Sequence, residues 1–128
     1  MDALQKNKQF VLEYFNAISG VKKTGELIDR YMNDDELKNH IIFFDTIFPN
    51  YELLADEVTA EGNRVIVLAR LRGKHEGEMN GIPATYKMVD FPFAIGYIMD
   101  KGIIVDHWMI GRSGGFNGTI GREPIIEF

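Results

Sequence analysis

Two long segments of the sequence carry apolar residues at every second position, the spacing of a β-strand with one buried face. In residues 64–72 the arginines fall only at even positions, and in residues 88–99 the odd positions are bulky and apolar. The odd-numbered apolar residues are Val65, Val67, Ala69, Leu71, Val89, Phe91, Phe93, Ile95 and Tyr97. Because side chains on a strand alternate between its faces, we predict that this set points inward. His75 continues the same phase and is predicted to lie inside.

Residues 103–110 form another strand-like run, but both of its faces contain apolar residues. One face would carry Ile103, Val105, His107 and Met109, and the other Ile104, Asp106, Trp108 and Ile110. Alternation alone does not orient this strand, and a β-bulge would shift its phase. Alternation does predict that Asp106 and His107 lie on opposite faces of the strand.

Three helical patterns precede the strands. Apolar residues at helical spacing predict a first helix over residues 2–19, namely Phe10, Val11, Tyr14, Phe15 and Ile18. A second short helix is predicted over residues 24–32, with Thr24 as N-cap. A third opens at Asn33 or Asp34 and ends before Pro49, with an apolar row of Leu37, Ile41, Phe44 and Phe48.

The order of these patterns predicts the fold class. Strand-like runs at residues 51–60, 64–78, 84–99 and 103–110 are joined by short turn signals. We therefore predict an α+β domain in which three N-terminal helices pack on a strongly curved antiparallel sheet that forms a cone-shaped pocket. The whole chain, 1–128, is predicted to be one domain, with 111–128 as an irregular glycine-rich tail and a candidate edge strand at 124–128.

The composition argues against several classes of function. The net charge is −5 and no block of Lys or Arg is present, so a nucleic-acid partner is not expected. The chain has no apolar run of membrane-spanning length and no signal-peptide pattern, which predicts a cytoplasmic protein without a membrane partner. It also has no cysteine, which excludes disulfides, thiolate zinc sites and cysteine nucleophiles. The histidines and carboxylates show no recognised metal spacing, so we predict no metal and no cofactor.

Four runs of sequence carry a family likeness. FPNYEL, AEGNRVIV, RGKHEGEMNGIPAT and DKGIIVDHWM resemble segments of the SnoaL-like polyketide cyclases and related ester cyclases, in the nuclear-transport-factor-two-like superfamily. The resemblance extends over residues 6–108. It implies a cone-shaped α+β fold with an apolar pocket, commonly assembled as a homodimer.

The same resemblance implies altered chemistry in the pocket. Characterised cyclases of the family use an Asp two residues after the last-strand His, and this position is Met109 here. Their polar pair on the preceding strand corresponds to Phe93 and Ile95. A thioether cannot abstract a proton, so cyclase chemistry of the usual kind is not expected. The relatives usually end in a short apolar helix, where this chain has its glycine-rich tail.

The leading hypothesis is a protein that binds a small hydrophobic or aromatic molecule. The predicted ligand-binding residues are Tyr14, His75, Phe91, Phe93, Ile95, Tyr97 and Met109. The alternative is an active cyclase, isomerase or hydrolase that uses His107 as its acid or base. A third hypothesis is a dimerisation module without ligand, since an outward Trp108 would suit a homodimer contact.

Several of these residues also have ordinary structural interpretations. His107 and His75 could be buried histidines with structural partners, and Tyr14 could be a core aromatic. His40 is predicted to be a core or interface residue, because it lies beside apolar residues of its helix. Asp106 and Asp90 could form a carboxylate pair, but strand alternation favours a solvated or inter-subunit location for both.

Overall fold

The computed structural model describes residues 2–111, and the backbone alone for the last two of them. Its helices are α1 (Ala3–Ile18), α2 (Gly25–Asp29) and α3 (Asp35–Ile47), and its strands are β1 (Glu52–Glu61), β2 (Arg64–Lys74), β3 (Met88–Asp100) and β4 (Ile103–Gly111). Within this part of the chain, no helix has the length and apolar character needed to cross a bilayer. The predicted tail and the candidate strand at 124–128 lie outside the described residues.

The helices begin at side chains that cap them. Asp2 accepts a hydrogen bond from Gln5 N–H at the start of α1, and Thr24 accepts one from Leu27 N–H at the start of α2. Asp34 does the same for Leu37 N–H at the start of α3, which decides between the two predicted N-caps. The predicted apolar row of α1 is buried, apart from Phe10, which is partly buried against the core.

The strands form one antiparallel sheet in the order β1-β2-β3-β4. A two-residue turn joins β3 to β4, with positive φ at Lys101 (51°) and Gly102 (81°), as a type I′ hairpin requires. The core lies between the helices and the inner face of this curled sheet. The predicted fold class is confirmed.

The inward orientation of the odd-numbered residues is confirmed in β2 and β3. All nine predicted residues are buried, each at most 8% exposed, and His75 has no exposed surface. On the even-numbered face, Ile66 and Leu68 are 40% and 46% exposed. The alternation of the two strands therefore fixes the inner wall of the molecule.

The predicted phase of β4 is wrong in its first half. Met99 pairs with Ile104 and Ile98 pairs with Asp106, so a β-bulge inserts an extra residue at Val105. Ile104 is fully buried, in place of its neighbours Ile103 and Val105. Beyond the bulge, His107 pairs with Tyr97 and Met109 with Ile95, so these two residues do share the inner face.

Residues 75–87 form a connection that the sequence pattern assigned partly to strands. The backbone N–H groups of Glu76 and Gly77 both donate to Ile47 O, at 2.8 and 3.0 Å, which holds this loop against the end of α3. A Cβ atom at Gly77 would lie 2.9 Å from Ile47 Cα. Backbone hydrogen bonds from His75 N–H to Lys87 O and from Tyr86 N–H to His75 O close the loop just beyond the last strand pair, Lys74 and Met88.

Candidate functional site

An apolar cavity lies between α1, α3 and the inner face of the sheet. About 360 Å³ is free of protein atoms there, part of it open to solvent, and about 30 Å³ of that can hold the centre of a water-sized sphere. The lining residues are Tyr14, Leu37, His40, Ile41, Phe44, Tyr51, Leu53, Leu71, Phe93, Ile95 and Met109. An apolar lining with few polar groups is typical of small-molecule sites.

Helix α3 supplies one wall of the cavity through four residues at helical spacing. Leu37, His40, Ile41 and Phe44 recur at i, i+3, i+4 and i+7, so they lie on one face of the helix. The opposite wall comes from the inward residues of the sheet, including Ile95 and its cross-strand partner Met109.

Two buried tyrosines, Tyr14 and Tyr51, line the cavity, and a third, Tyr97, lies next to Tyr14. Tyr14 hydrogen bonds to Tyr97 through its side chain, and their ring centroids are 6.0 Å apart. Burial raises the pKa of the Tyr14 hydroxyl, the Asp34 carboxylate raises it further, and the hydrogen bond with Tyr97 opposes this shift. Burial likewise raises the pKa of Tyr51 and Tyr97 well above the ordinary value. These phenols therefore stay neutral and can donate hydrogen bonds.

His40 is a polar residue of the cavity whose role sequence reasoning missed. His40 is half-buried. Its Nδ1 atom is shielded from solvent, and no described residue hydrogen bonds to that atom. Its ring lies 6.3 Å from the ring of His107 and 6.5 Å from that of Phe44. The helical spacing with Leu37 and Ile41 was the available signal, but a histidine among apolar residues suggested only a core or interface position.

His107 is paired with Asp34, a residue that the sequence analysis considered only as a helix cap. Their Nδ1 and Oδ2 atoms are 2.6 Å apart, and the two side chains are 6% and 7% exposed. Asp34 Oδ1 accepts the Leu37 N–H at 3.0 Å, so the carboxylate is held from both sides. Because a carboxylate oxygen accepts, we assign a proton to Nδ1, which donates to Asp34. Nε2 lies 4.0 Å from Glu36 Oε1.

Asp106 lies beside this pair but is exposed. Its Oδ1 accepts the His107 N–H at 2.8 Å. Ligand atoms of Asp34, Asp106 and His107 all lie within 4.8 Å of one another, so these three residues could offer one atom each to a cation. In the present geometry the Asp34 and His107 atoms are joined by their own hydrogen bond.

The possible carboxylate pair of Asp90 and Asp106 does not form. Asp90 stands opposite Arg72 near one end of β3, whereas Asp106 stands opposite Ile98 near the other end. Asp90 instead accepts a hydrogen bond from Arg70 at 2.9 Å. Both residues are exposed, as strand alternation indicated.

His75 is buried at a different place from the cavity. Its Nδ1 accepts the Thr85 N–H at 3.2 Å and lies 2.9 Å from Thr85 Oγ1. Its ring centroid is 5.7 Å from that of Phe48. These contacts tie the two ends of the 75–87 loop together.

The family model of the SnoaL-like polyketide cyclases matches residues 20–111. The chain belongs to this family. The match includes the α3 and sheet walls of the cavity and the His107–Asp34 pair, but not α1. Among curated proteins, none matches the sequence significantly.

Solved structures support the fold of this SnoaL-like chain. TsrD from Streptomyces laurentii superposes with a TM-score of 0.79 at 16% identity, covering 94% of this chain and 98% of its own. A SnoaL-like protein from Jannaschia sp. CCS1 gives 0.77 at 20% identity, with 97% and 98% covered. AclR from Streptomyces galilaeus gives 0.77 at 17% identity, with 97% and 86% covered.

The structure of this SnoaL-like chain divides the predicted site residues into two groups. Tyr14, Phe93, Ile95 and Met109 line the cavity. Phe91, Tyr97, His75 and His107 are not among its lining residues. Phe91 stacks on Phe93 with ring centroids 6.1 Å apart, and Tyr97 contacts Tyr14, so both support cavity residues from behind.

Proposed function

We propose that this SnoaL-like protein binds a small hydrophobic or aromatic molecule in the cavity between α1, α3 and the sheet. The observation that carries the proposal is the lining, in which apolar side chains from both helices and all four strands meet around one space. Burial of apolar ligand surface would supply the binding free energy, at about 25 cal/mol per Å². Met109, which the family resemblance places at the position of the catalytic Asp, adds an apolar side chain to this wall.

A pair of matched variants tests the proposal. Met109→Trp should fill the cavity and abolish binding of toluene, measured by calorimetry and by the shift in thermal midpoint. Met88→Trp adds the same side chain at a residue that is 63% exposed, and it should leave binding unchanged. Equal toluene binding by both variants, or none by the wild type, would contradict the proposal. The latter result would favour a dimerisation module without ligand.

Acid–base catalysis at His107 is the second candidate function. It is favoured by the 2.6 Å contact of Nδ1 with Asp34, which would hold the ring in one orientation with Nε2 available as a base. His–carboxylate pairs of this kind occur where an imidazole must be oriented for proton transfer. A bound carbonyl compound would have to reach Nε2 from the cavity, past Met109 and His40.

Proton exchange in a simple ketone tests the second candidate. Acetone in deuterated buffer should exchange its α-protons faster with the wild type than with His107→Ala, followed by NMR. His75→Ala removes a histidine remote from the cavity and is the control. Identical exchange rates in wild type and His107→Ala would remove His107 from any such mechanism.

A further inference from the structure

His40 is a lining residue of the cavity with a buried hydrogen-bonding atom that has no partner among the described residues. Its Nδ1 is buried, and residues 2–111 provide it with no hydrogen-bond partner. Almost every buried polar atom in a folded protein is hydrogen bonded, because leaving one unpaired costs free energy. Since His40 also lines the cavity, a molecule bound there is a natural partner for this atom.

The size of the cavity limits what that partner can be. Ligand sites for drug-sized molecules occupy about 300–1,000 Å³, and the enclosed space here is far smaller. The space here is about 360 Å³ including the part open to solvent, and only about 30 Å³ admits the centre of a water-sized sphere. A single aromatic ring is therefore a better match than the fused rings of a polycyclic compound.

The chemistry of His40 limits the polar group. A neutral histidine donates from one ring nitrogen and accepts at the other, so Nδ1 has either role depending on the tautomer. A hydroxyl both donates and accepts, and it fits both cases.

We propose that the ligand is a compact one-ring molecule with one hydroxyl, of the phenol class, and that the hydroxyl hydrogen bonds to Nδ1 of His40. This rests on the proposed binding function and adds the ligand class and the residue that selects it. The apolar wall holds the ring, and His40 fixes its orientation. Neighbouring His107 is engaged with Asp34 through Nδ1 and is not a lining residue of the cavity, whereas His40 is.

The test compares phenol with toluene, which replaces the hydroxyl by a methyl group of similar size. We expect the ratio of toluene Kd to phenol Kd to fall about tenfold from wild type to His40→Leu, because phenol loses its partner and toluene does not. His40→Asn keeps a hydrogen-bonding group near the Nδ1 position and should retain much of the preference. In the wild type, phenol should shift the ¹⁵N resonance of His40 Nδ1, and toluene should not.

The results separate the role of His40 from the function of the cavity as a binding site. An unchanged ratio in His40→Leu, with toluene still bound, overturns the role of His40 but keeps the cavity as a binding site. If neither compound binds the wild type, the proposed function itself fails. If His40→Leu does not fold, the ¹⁵N shift in the wild type decides, and its absence on phenol binding overturns the proposal. Tighter binding of 1-naphthol than of phenol would overturn the limit to one ring.

Discussion

His107 and Asp34 are 73 residues apart in the sequence, yet their Nδ1 and Oδ2 atoms are 2.6 Å apart. The contact joins His107 of β4 to Asp34, the N-cap residue of α3. Beside it, Asn33 N–H donates to Ile104 O at 2.7 Å, and Ile104 N–H donates to Tyr31 O at 3.0 Å. The connection between α2 and α3 thus covers the edge of β4 at this point and fixes the height of α3 above the sheet.

Replacing Asp34 with Asn should loosen this link without removing the helix cap, since Asn is also a good N-cap. Loss of a charge-assisted hydrogen bond should lower the free energy of unfolding by about 1–2 kcal/mol. In ¹⁵N NMR, the Nδ1-protonated tautomer of His107 should lose its dominance. Asp35→Asn removes the same charge from an exposed neighbour and should change neither quantity. Equal effects of the two variants would show that helix charge, not the His107 contact, is responsible.

Lys23 should make stability rise with pH in the alkaline range. Its side chain has no exposed surface, and its Nζ donates to Tyr51 O at 2.6 Å and Val21 O at 2.8 Å. Burial lowers the pKa of Lys23 to about 8, and the nearby Asp45 carboxylate opposes this shift. Between about pH 8 and 10.5 the unfolded chain therefore holds a proton that the folded chain has released. Unfolding takes up that proton, so folding is favoured as pH rises.

Urea unfolding from pH 7 to 10 measures this dependence. The free energy of unfolding of the wild type should rise relative to that of Lys23→Met above pH 8, by at most about 1.4 kcal/mol per pH unit. Below pH 8 the difference between the two should be constant, because Lys23 is then protonated in both states. Parallel curves across the whole range would contradict a lowered pKa. If Lys23→Met does not fold, an NMR titration of Lys23 Nζ in the wild type measures its pKa directly.

The Trp108 ring leaves no room for a side chain at Gly96. The two residues pair across β3 and β4, and a Cβ atom at Gly96 would collide with the indole ring. Gly96→Ala should displace the ring, change tryptophan fluorescence and cost about 1–3 kcal/mol. In a Trp108→Ala background the same substitution should cost little, which a double-mutant cycle measures. An equal cost in both backgrounds would exclude the contact as the cause.

The surface that we propose for a homodimer is the part of the outer sheet face around Trp108, at the opposite end of β3 from Met88. Ile66, Gly96 and Trp108 form a row across three strands, and Trp108 is 40% exposed. Leu68, 46% exposed, extends this apolar surface. We expect sedimentation to show a dimer for the wild type and for Met88→Glu, and a monomer for Leu68→Glu. A monomeric wild type at working concentration would contradict the proposal.

Sequence reasoning succeeded where polar and apolar residues contrast. The alternation in β2 and β3 identified the inner wall, because arginines mark the outer face of β2 and aromatic residues mark the inner face of β3. In β4 the residues before the bulge and at the bulge are all apolar. Ile103, Ile104 and Val105 give no contrast, so the extra residue at the bulge left no signal.

The polar parts of the candidate site were harder to find. Asp34 has a clear local role as a helix cap, and that role gives no indication of its contact with His107, which depends on the tertiary packing of α3. His75 follows the inward phase, but the loop packed on Ile47 directs it toward Thr85 and Phe48 instead of the cavity. Periodicity gives the face on which a side chain lies, whereas the partner on that face depends on the fold.

Bromobenzene soaked into crystals would locate the ligand directly through the anomalous signal of bromine. We expect one strong peak inside the apolar cavity, within contact distance of Met109, Ile95 and Phe93. The Met109→Trp variant should lose that peak. Bromine found only on the outer surface, with the cavity walls in contact with one another, would contradict the claim that this cavity binds small apolar molecules.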